Sequence, residues 1–128
     1  MEIDNRRKFQ RIDFDGTVDL KFVNYCYDSC PVKNISLTGL FIEGNFQKRK
    51  AINCHVQIFH KDKNGNNSLR ALAKVVWKNN EGIGLKFTAM TFENYLLLQT
   101  TLIHKAKESE PILRELPKNS PFLISNIM

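Results

Sequence analysis

The chain has 128 residues, enough for one compact domain and little more. Its composition, 42% hydrophobic and 25% charged, excludes global disorder, and no apolar run of about 18 residues is present to cross a membrane. Nineteen Lys and Arg against thirteen Asp and Glu leave +6, which favours an anionic partner without choosing among a nucleotide, a nucleic acid and an acidic membrane face.

The opening residues are polar and basic, with Arg6, Arg7, Lys8 and Arg11 crowded into one short segment. They lack the apolar stretch and small-residue cleavage site of a secretory signal. Three cysteines (Cys26, Cys30 and Cys54) cannot all pair, and this argues for a reducing compartment. A cytoplasmic protein is expected.

From Gly16 onward the pattern is one of short strands. Val18, Leu20 and Phe22 alternate with Asp19 and Lys21, as in a half-buried strand. A second run from Pro31 leads into Ser36-Leu37-Thr38-Gly39, a plausible turn, and Leu40-Phe41-Ile42 resumes after it. Gln47-Lys48-Arg49-Lys50 reads as a solvated turn. The run from Ile52 to Phe59 is a further strand, and the Asn64-Gly65 pair behind it is a strong hairpin signal. Leu69, Ala71, Ala73, Val75 and Trp77 then line one face of a strand, with Arg70 and Lys74 on the other, so Trp77 is expected in the core. Phe22, Phe41 and Phe87 fit the same inward register. After Asn79-Asn80-Glu81-Gly82, the residues Ile83, Leu85 and Phe87 alternate again.

Five or six antiparallel strands at this spacing predict a barrel or a sandwich. The period then changes. Phe92, Tyr95, Leu96, Gln99, Leu102, Ile103 and Ala106 recur at steps of three and four, which predicts an amphipathic helix N-capped by Thr91. Pro111 ends that pattern, and the tail to Met128 carries Pro117 and Pro121 among Ile112, Leu113, Leu116, Phe122, Leu123 and Ile124. A tail this apolar fits packing on the barrel or on a partner.

An enzyme is not expected. His55, His60 and His104 have no metal-ligand spacing among themselves or with the cysteines. Cys26 and Cys30 lack the second pair of a zinc site and read as small half-buried side chains near a turn. Neither a nucleophile elbow nor a P-loop is present. No metal and no cofactor is implied.

Two other features point to a ligand. The first is Arg7-Lys8-Phe9-Gln10-Arg11, an Arg-x-x-x-Arg spacing ahead of the first strand. The guanidinium fork suits phosphate oxygens and the O6/N7 edge of guanine. In an extended segment the two Cα atoms would lie about 13 Å apart, a span that two long side chains can close around one small anion. Taken alone, it also fits an exposed basic terminus. The second is Asn34-Ile35-Ser36-Leu37-Thr38-Gly39. On a strand, Asn34 and Ser36 face the same side, where an amide and a hydroxyl could bind a base edge, and Gly39 permits a close backbone approach. Alone, this segment fits equally a turn that only shapes the chain.

Together the two motifs resemble the PilZ family of cyclic di-GMP receptors, in the family's order and at a similar separation. Val75-Val76-Trp77 followed by Gly82-Ile83-Gly84-Leu85-Lys86-Phe87 looks like that family's last strand pair, with a closing helix after it, so the resemblance spans about residues 6 to 107. It implies a six-stranded antiparallel β-barrel with a C-terminal helix: an arginine arm over 6–11, a barrel over about 12–89, a helix over about 91–108 within a domain of 1–110, and a separate tail over 111–128. It implies further that Arg7 and Arg11 close over cyclic di-GMP, that Asn34 and Ser36 read a guanine, and that Gly39 keeps the turn that presents them. Asn34 stands where the family accepts aspartate or asparagine. Arg6 and Lys8 are possible additional contacts.

The expected mechanism is an arm ordered against the barrel by the ligand, changing a surface that a protein partner reads in trans. Two other readings compete. A basic small barrel binding nucleic acid would show exposed aromatics interleaved with basic residues, and an interaction module without a ligand would use the apolar tail. The pathway, the ligand stoichiometry and the choice between monomer and homodimer stay open.

Overall fold

The computed structural model describes residues 12–46, 52–62, 65–105 and 122–125. Six strands and one helix follow in chain order: β1 (Ile12–Lys21), β2 (Cys26–Ile35), β3 (Gly39–Glu43), β4 (Asn53–Asp62), β5 (Gly65–Lys78), β6 (Gly82–Thr91) and α1 (Phe92–Lys105), with a short β7 (Leu123–Ser125) at the end. The strand order is β3-β2-β1-β4-β5-β6, and β3 also pairs with β6. All pairings among the six are antiparallel, so the sheet closes on itself. Closure leaves none of the six strands with a wholly unpaired edge, the stable solution for an antiparallel sheet. Both the expected six-stranded barrel and the helix after it are present.

The alternation seen in the sequence fills the interior. Val18 and Leu20 from β1, Val56 and Ile58 from β4, Leu69, Ala71, Ala73 and Val75 from β5, and Ile83, Leu85 and Phe87 from β6 are all buried in one cluster. Thr91 caps α1, its hydroxyl accepting the Asn94 N–H at 3.2 Å. Tyr95, Leu98 and Leu102 turn the inner helix face onto the barrel. Among the described residues, no helix is long and apolar enough to cross a membrane.

Two departures from the sequence reading matter. The second strand begins at Cys26 rather than near Pro31, because a tight turn closed by the Phe22 N–H on the Tyr25 carbonyl (2.9 Å) starts the return directly. Trp77, expected in the core, lies on the outer face, and Phe41 is buried as expected but on that same side, beneath Trp77 and outside the main core cluster. The register slips between Val75 and Trp77: Val75 faces Leu85, but Trp77 faces Gly84, which stands between the inward Ile83 and Leu85. A β-bulge of this kind inverts the alternation behind it. Phe41 also pairs with Gly84, from the β3 side, and it too points outward.

The apolar tail returns to the barrel at its one described segment. Phe122 meets Phe87 and Tyr95 edge-on, and β7 runs parallel to the last residues of β6. The rest of the tail, 111–121 and 126–128, lies outside the described residues, as do 106–110 at the expected end of the helix, the basic knot at 47–50 and the hairpin positions 63–64.

Candidate ligand-binding site

The second motif begins where β2 ends. Val32 and Ile35 both reach the core, an odd separation that a regular strand cannot give, so β2 slips register between Val32 and Asn34. The slip leaves Asn34 on the outside, between Asp13 of β1 and Phe41 of β3. Its Oδ1 is buried and has no hydrogen-bond partner among the described residues. An acceptor in that state carries a desolvation cost of about 1–3 kcal/mol that an incoming donor would relieve.

Ser36 is placed differently. It is buried, and its N–H donates to the Gly39 carbonyl at 2.8 Å. Its hydroxyl oxygen accepts the Thr38 N–H at 3.2 Å and lies 3.2 Å from the Thr38 hydroxyl. The side chain therefore builds the turn from Ser36 to Gly39. Thr38 ties this turn to β6 by accepting the Phe87 N–H at 2.8 Å. Gly39 lies opposite Lys86, and a Cβ there would overlap the Leu85 carbonyl oxygen. The close approach expected of Gly39 is thus between β3 and β6 of the barrel itself.

Beside Asn34 lies an aromatic platform. The rings of Phe41 and Trp77 stack with centroids 4.9 Å apart and planes at 11°. The indole crosses Gly84, where any Cβ would strike its Nε1. Lys33 sets its ammonium 5.8 Å from the Phe41 centroid. One outer row of the barrel therefore reads Asn34, Phe41, Gly84, Trp77 across β2, β3, β6 and β5. The adjacent row carries Gly39, Lys86 and Lys74.

Arg6, Arg7, Lys8 and Arg11 lie outside the described residues. Ile12, which follows Arg11 in sequence, pairs with Ile35, between Asn34 and Ser36. The second motif therefore lies beside the strand that follows Arg11 in sequence. Sequence reasoning singled out Asn34, Ser36 and Gly39 but missed the platform. Gly82 and Gly84, alternating on the outer face of β6, were the available signal that something bulky crosses there.

A groove lies elsewhere. It is an open depression of about 1100 Å³ lined by Asp19, Lys21, His55, Gln57 and Arg70 on the outside of β1, β4 and β5. None of the described motif residues lines it. A flat stacking surface is not a concavity, so chemistry rather than volume decides between the two.

No described group is poised for nucleophilic or metal chemistry. Burial pushes the Cys54 thiol up to about 12, and burial followed by the charges of Asp19 and Asp28 raises that of Cys30. Both changes disfavour the thiolate that a nucleophile requires. His60 is buried against α1, with its Nε2 3.3 Å from the Thr101 hydroxyl. Among the described residues, no three His, Cys, Asp or Glu side chains gather as a metal site.

A closed antiparallel barrel with a terminal helix, a polar motif and an aromatic platform on its outer wall, and an arginine pair ahead of the first strand in sequence, is the architecture of a PilZ domain. The PilZ domain matches residues 5–103, and the chain belongs to that family. Among solved structures, it is similar to the Bacillus subtilis inhibitor of motility (MotI/DgrA), with a TM-score of 0.67 at 15% identity. That likeness covers 81% of this chain and 52% of the other, so the chain spans about half the length of that protein, and at this identity the likeness concerns the fold. Among curated proteins, none matches this chain.

Proposed function

We propose that this protein is a cytoplasmic receptor for cyclic di-GMP that signals to a protein partner through its own altered surface. The observation that carries the reading is the unpaired Asn34 acceptor, set between the Phe41–Trp77 platform and the strand that Arg11 leads into. A cyclic guanine dinucleotide asks for three things: a hydrogen-bonding group for the base edge, a flat apolar surface for stacking and cations for its phosphodiesters. Asn34, the aromatic pair and the arginines Arg7 and Arg11 supply one each. Arg6 and Lys8 add charge to the same arm. Ser36 and Gly39 support the site by holding the turn and the β3–β6 approach. Family membership adds the ligand class. The arm closing over a bound nucleotide would replace a bare basic segment by a neutralised, packed one, and a partner can read that difference.

Titration of Trp77 fluorescence tests the reading, since this is the sole tryptophan and lies on the platform. Saturable quenching by cyclic di-GMP, with none by GMP at equal concentration, is the expected result. An unchanged spectrum over the whole titration would count against a ligand on this face.

One observation favours a second reading. Trp77, with Phe41 buried beneath it, lies on the outer face among Lys33, Lys74 and Lys86, an aromatic among basic residues as in a barrel that stacks single-stranded nucleic acid. The platform is one stacked pair rather than a track of aromatics along the groove, which suits a small ligand better than a strand. Competition separates them: a single-stranded oligonucleotide that displaces cyclic di-GMP, with affinity growing with length, would favour the strand binder.

A further inference from the structure

Beside the Asn34–Trp77 row, Lys86 of β6 lies directly opposite Lys74 of β5, and Gly39 lies on the other side of Lys86. Sheets ordinarily place unlike charges at directly opposed positions, because two like charges about 5 Å apart at their Cβ atoms repel. Their described cross-strand neighbours do not relieve this pair. Asn53, opposite Lys74 on the far side, is neutral, and Gly39 has no side chain. Among the described residues, neither ammonium is engaged in a hydrogen bond or ion pair. The acids of this face stand elsewhere: Asp13 opposite Asn34, and Glu43 opposite Gly82. Positive charge is therefore concentrated on the side of the platform that borders the turn at Ser36–Gly39.

Lys86 is two residues from Gly84 on β6, and Gly39 two residues from Phe41 on β3, so the lysine pair runs alongside the aromatic stack. A base on that stack would carry its sugar-phosphate toward one edge. We propose that Lys74 and Lys86 form an anion subsite that takes a phosphodiester of the nucleotide bound on the Asn34–Trp77 row. The proposal rests on the receptor reading and adds two residues that neither motif contains. A lysine ammonium suits this task as a compact point charge that needs no fixed fork geometry.

The test is calorimetric titration of the full chain with cyclic di-GMP at low and high salt, using Lys74→Gln, Lys86→Gln and the double variant. Lys21→Gln, on the outer face of β1 beside the separate groove, removes the same charge away from the platform. The expected result is an affinity loss of about fivefold for each lysine, with a shallower salt dependence, and wild-type affinity in Lys21→Gln. In the ligand-free state the platform variants should melt no lower than wild type, because opposed charges have been removed, and this separates a binding loss from misfolding. Wild-type affinity and salt dependence in the double variant would overturn the subsite while leaving the receptor reading intact. An equal loss in Lys21→Gln would reduce the effect to net charge and overturn it as well. A folded wild type that binds no cyclic di-GMP would remove the receptor reading, and the subsite with it.

Discussion

Trp77 lies flat against Phe41 on the outside of the barrel, 4.9 Å between ring centroids, although Val75 two residues earlier is fully buried. A single slip in the β5–β6 register separates the two fates. Replacing Trp77 by Ala should therefore cost little of the core but uncover Phe41, which is buried without belonging to the core cluster. A base stacked there contributes about 1–3 kcal/mol, so Trp77→Ala should weaken cyclic di-GMP by about ten- to hundredfold, and Trp77→Phe by much less. Calorimetry on both variants checks this. Equal affinities would show that no base uses the platform.

Asn34 and Ser36, two residues apart in one motif, should separate by phenotype. Ser36→Ala removes hydrogen bonds that shape the turn, so it should lower stability by about 1 kcal/mol with or without ligand. Asn34→Ala removes an unpaired acceptor, so the empty protein should be no less stable while ligand binding fails. Denaturant melts beside titrations decide it. The account would lose its central residue were Asn34→Ala to bind normally.

Gly39→Ala places a methyl against the Leu85 carbonyl oxygen, part of a backbone that cannot step aside without breaking the β3–β6 ladder. A loss of about 3 kcal/mol is expected. Thermal melting should register it before any ligand is added. A variant as stable as wild type would mean that the two strands approach less closely than described.

The Cys54 thiol, raised from 9.0 to about 12 by burial, makes a pH prediction. The folded chain holds that proton more tightly than the unfolded one, so the contribution is fully present below pH 9.0 and is lost as pH rises from there towards about 12. Cys54→Ala should flatten part of the alkaline fall in melting temperature. In the native protein near pH 8, a thiol reagent should modify exposed Cys26 first, with Cys30 and Cys54 following only on unfolding.

Much of the fold was legible because period and burial coincide along most of the chain. Val18 and Leu20, then Leu69 to Val75, then Ile83 to Phe87 alternate and are buried as written. The helix was readable from its three-and-four spacing and from Thr91. The platform was not, because a bulge is set by cross-strand register, and a single strand read by itself carries no record of its neighbour's phase. The start of β2 was missed for a related reason: Cys26-Tyr27-Asp28-Ser29 does not alternate, and Ser29 takes a left-handed φ of 54°, with its N–H held by the Asp19 carboxylate at 2.8 Å. For the site, the residue types Arg7, Arg11 and Asn34 pointed to the ligand class proposed above. The division of labour between Asn34 and Ser36 needed coordinates, since both are small polar residues at even spacing.

The central claim is that one face of this barrel, with the arginine segment ahead of it, binds cyclic di-GMP. Calorimetric titration of wild type, Arg7→Ala and Arg11→Ala with cyclic di-GMP, against a GMP control, tests it most directly. The account predicts micromolar or tighter binding by wild type, loss in both variants and no heat with GMP. Wild-type protein that is folded yet silent, or variants that bind as wild type does, would contradict it.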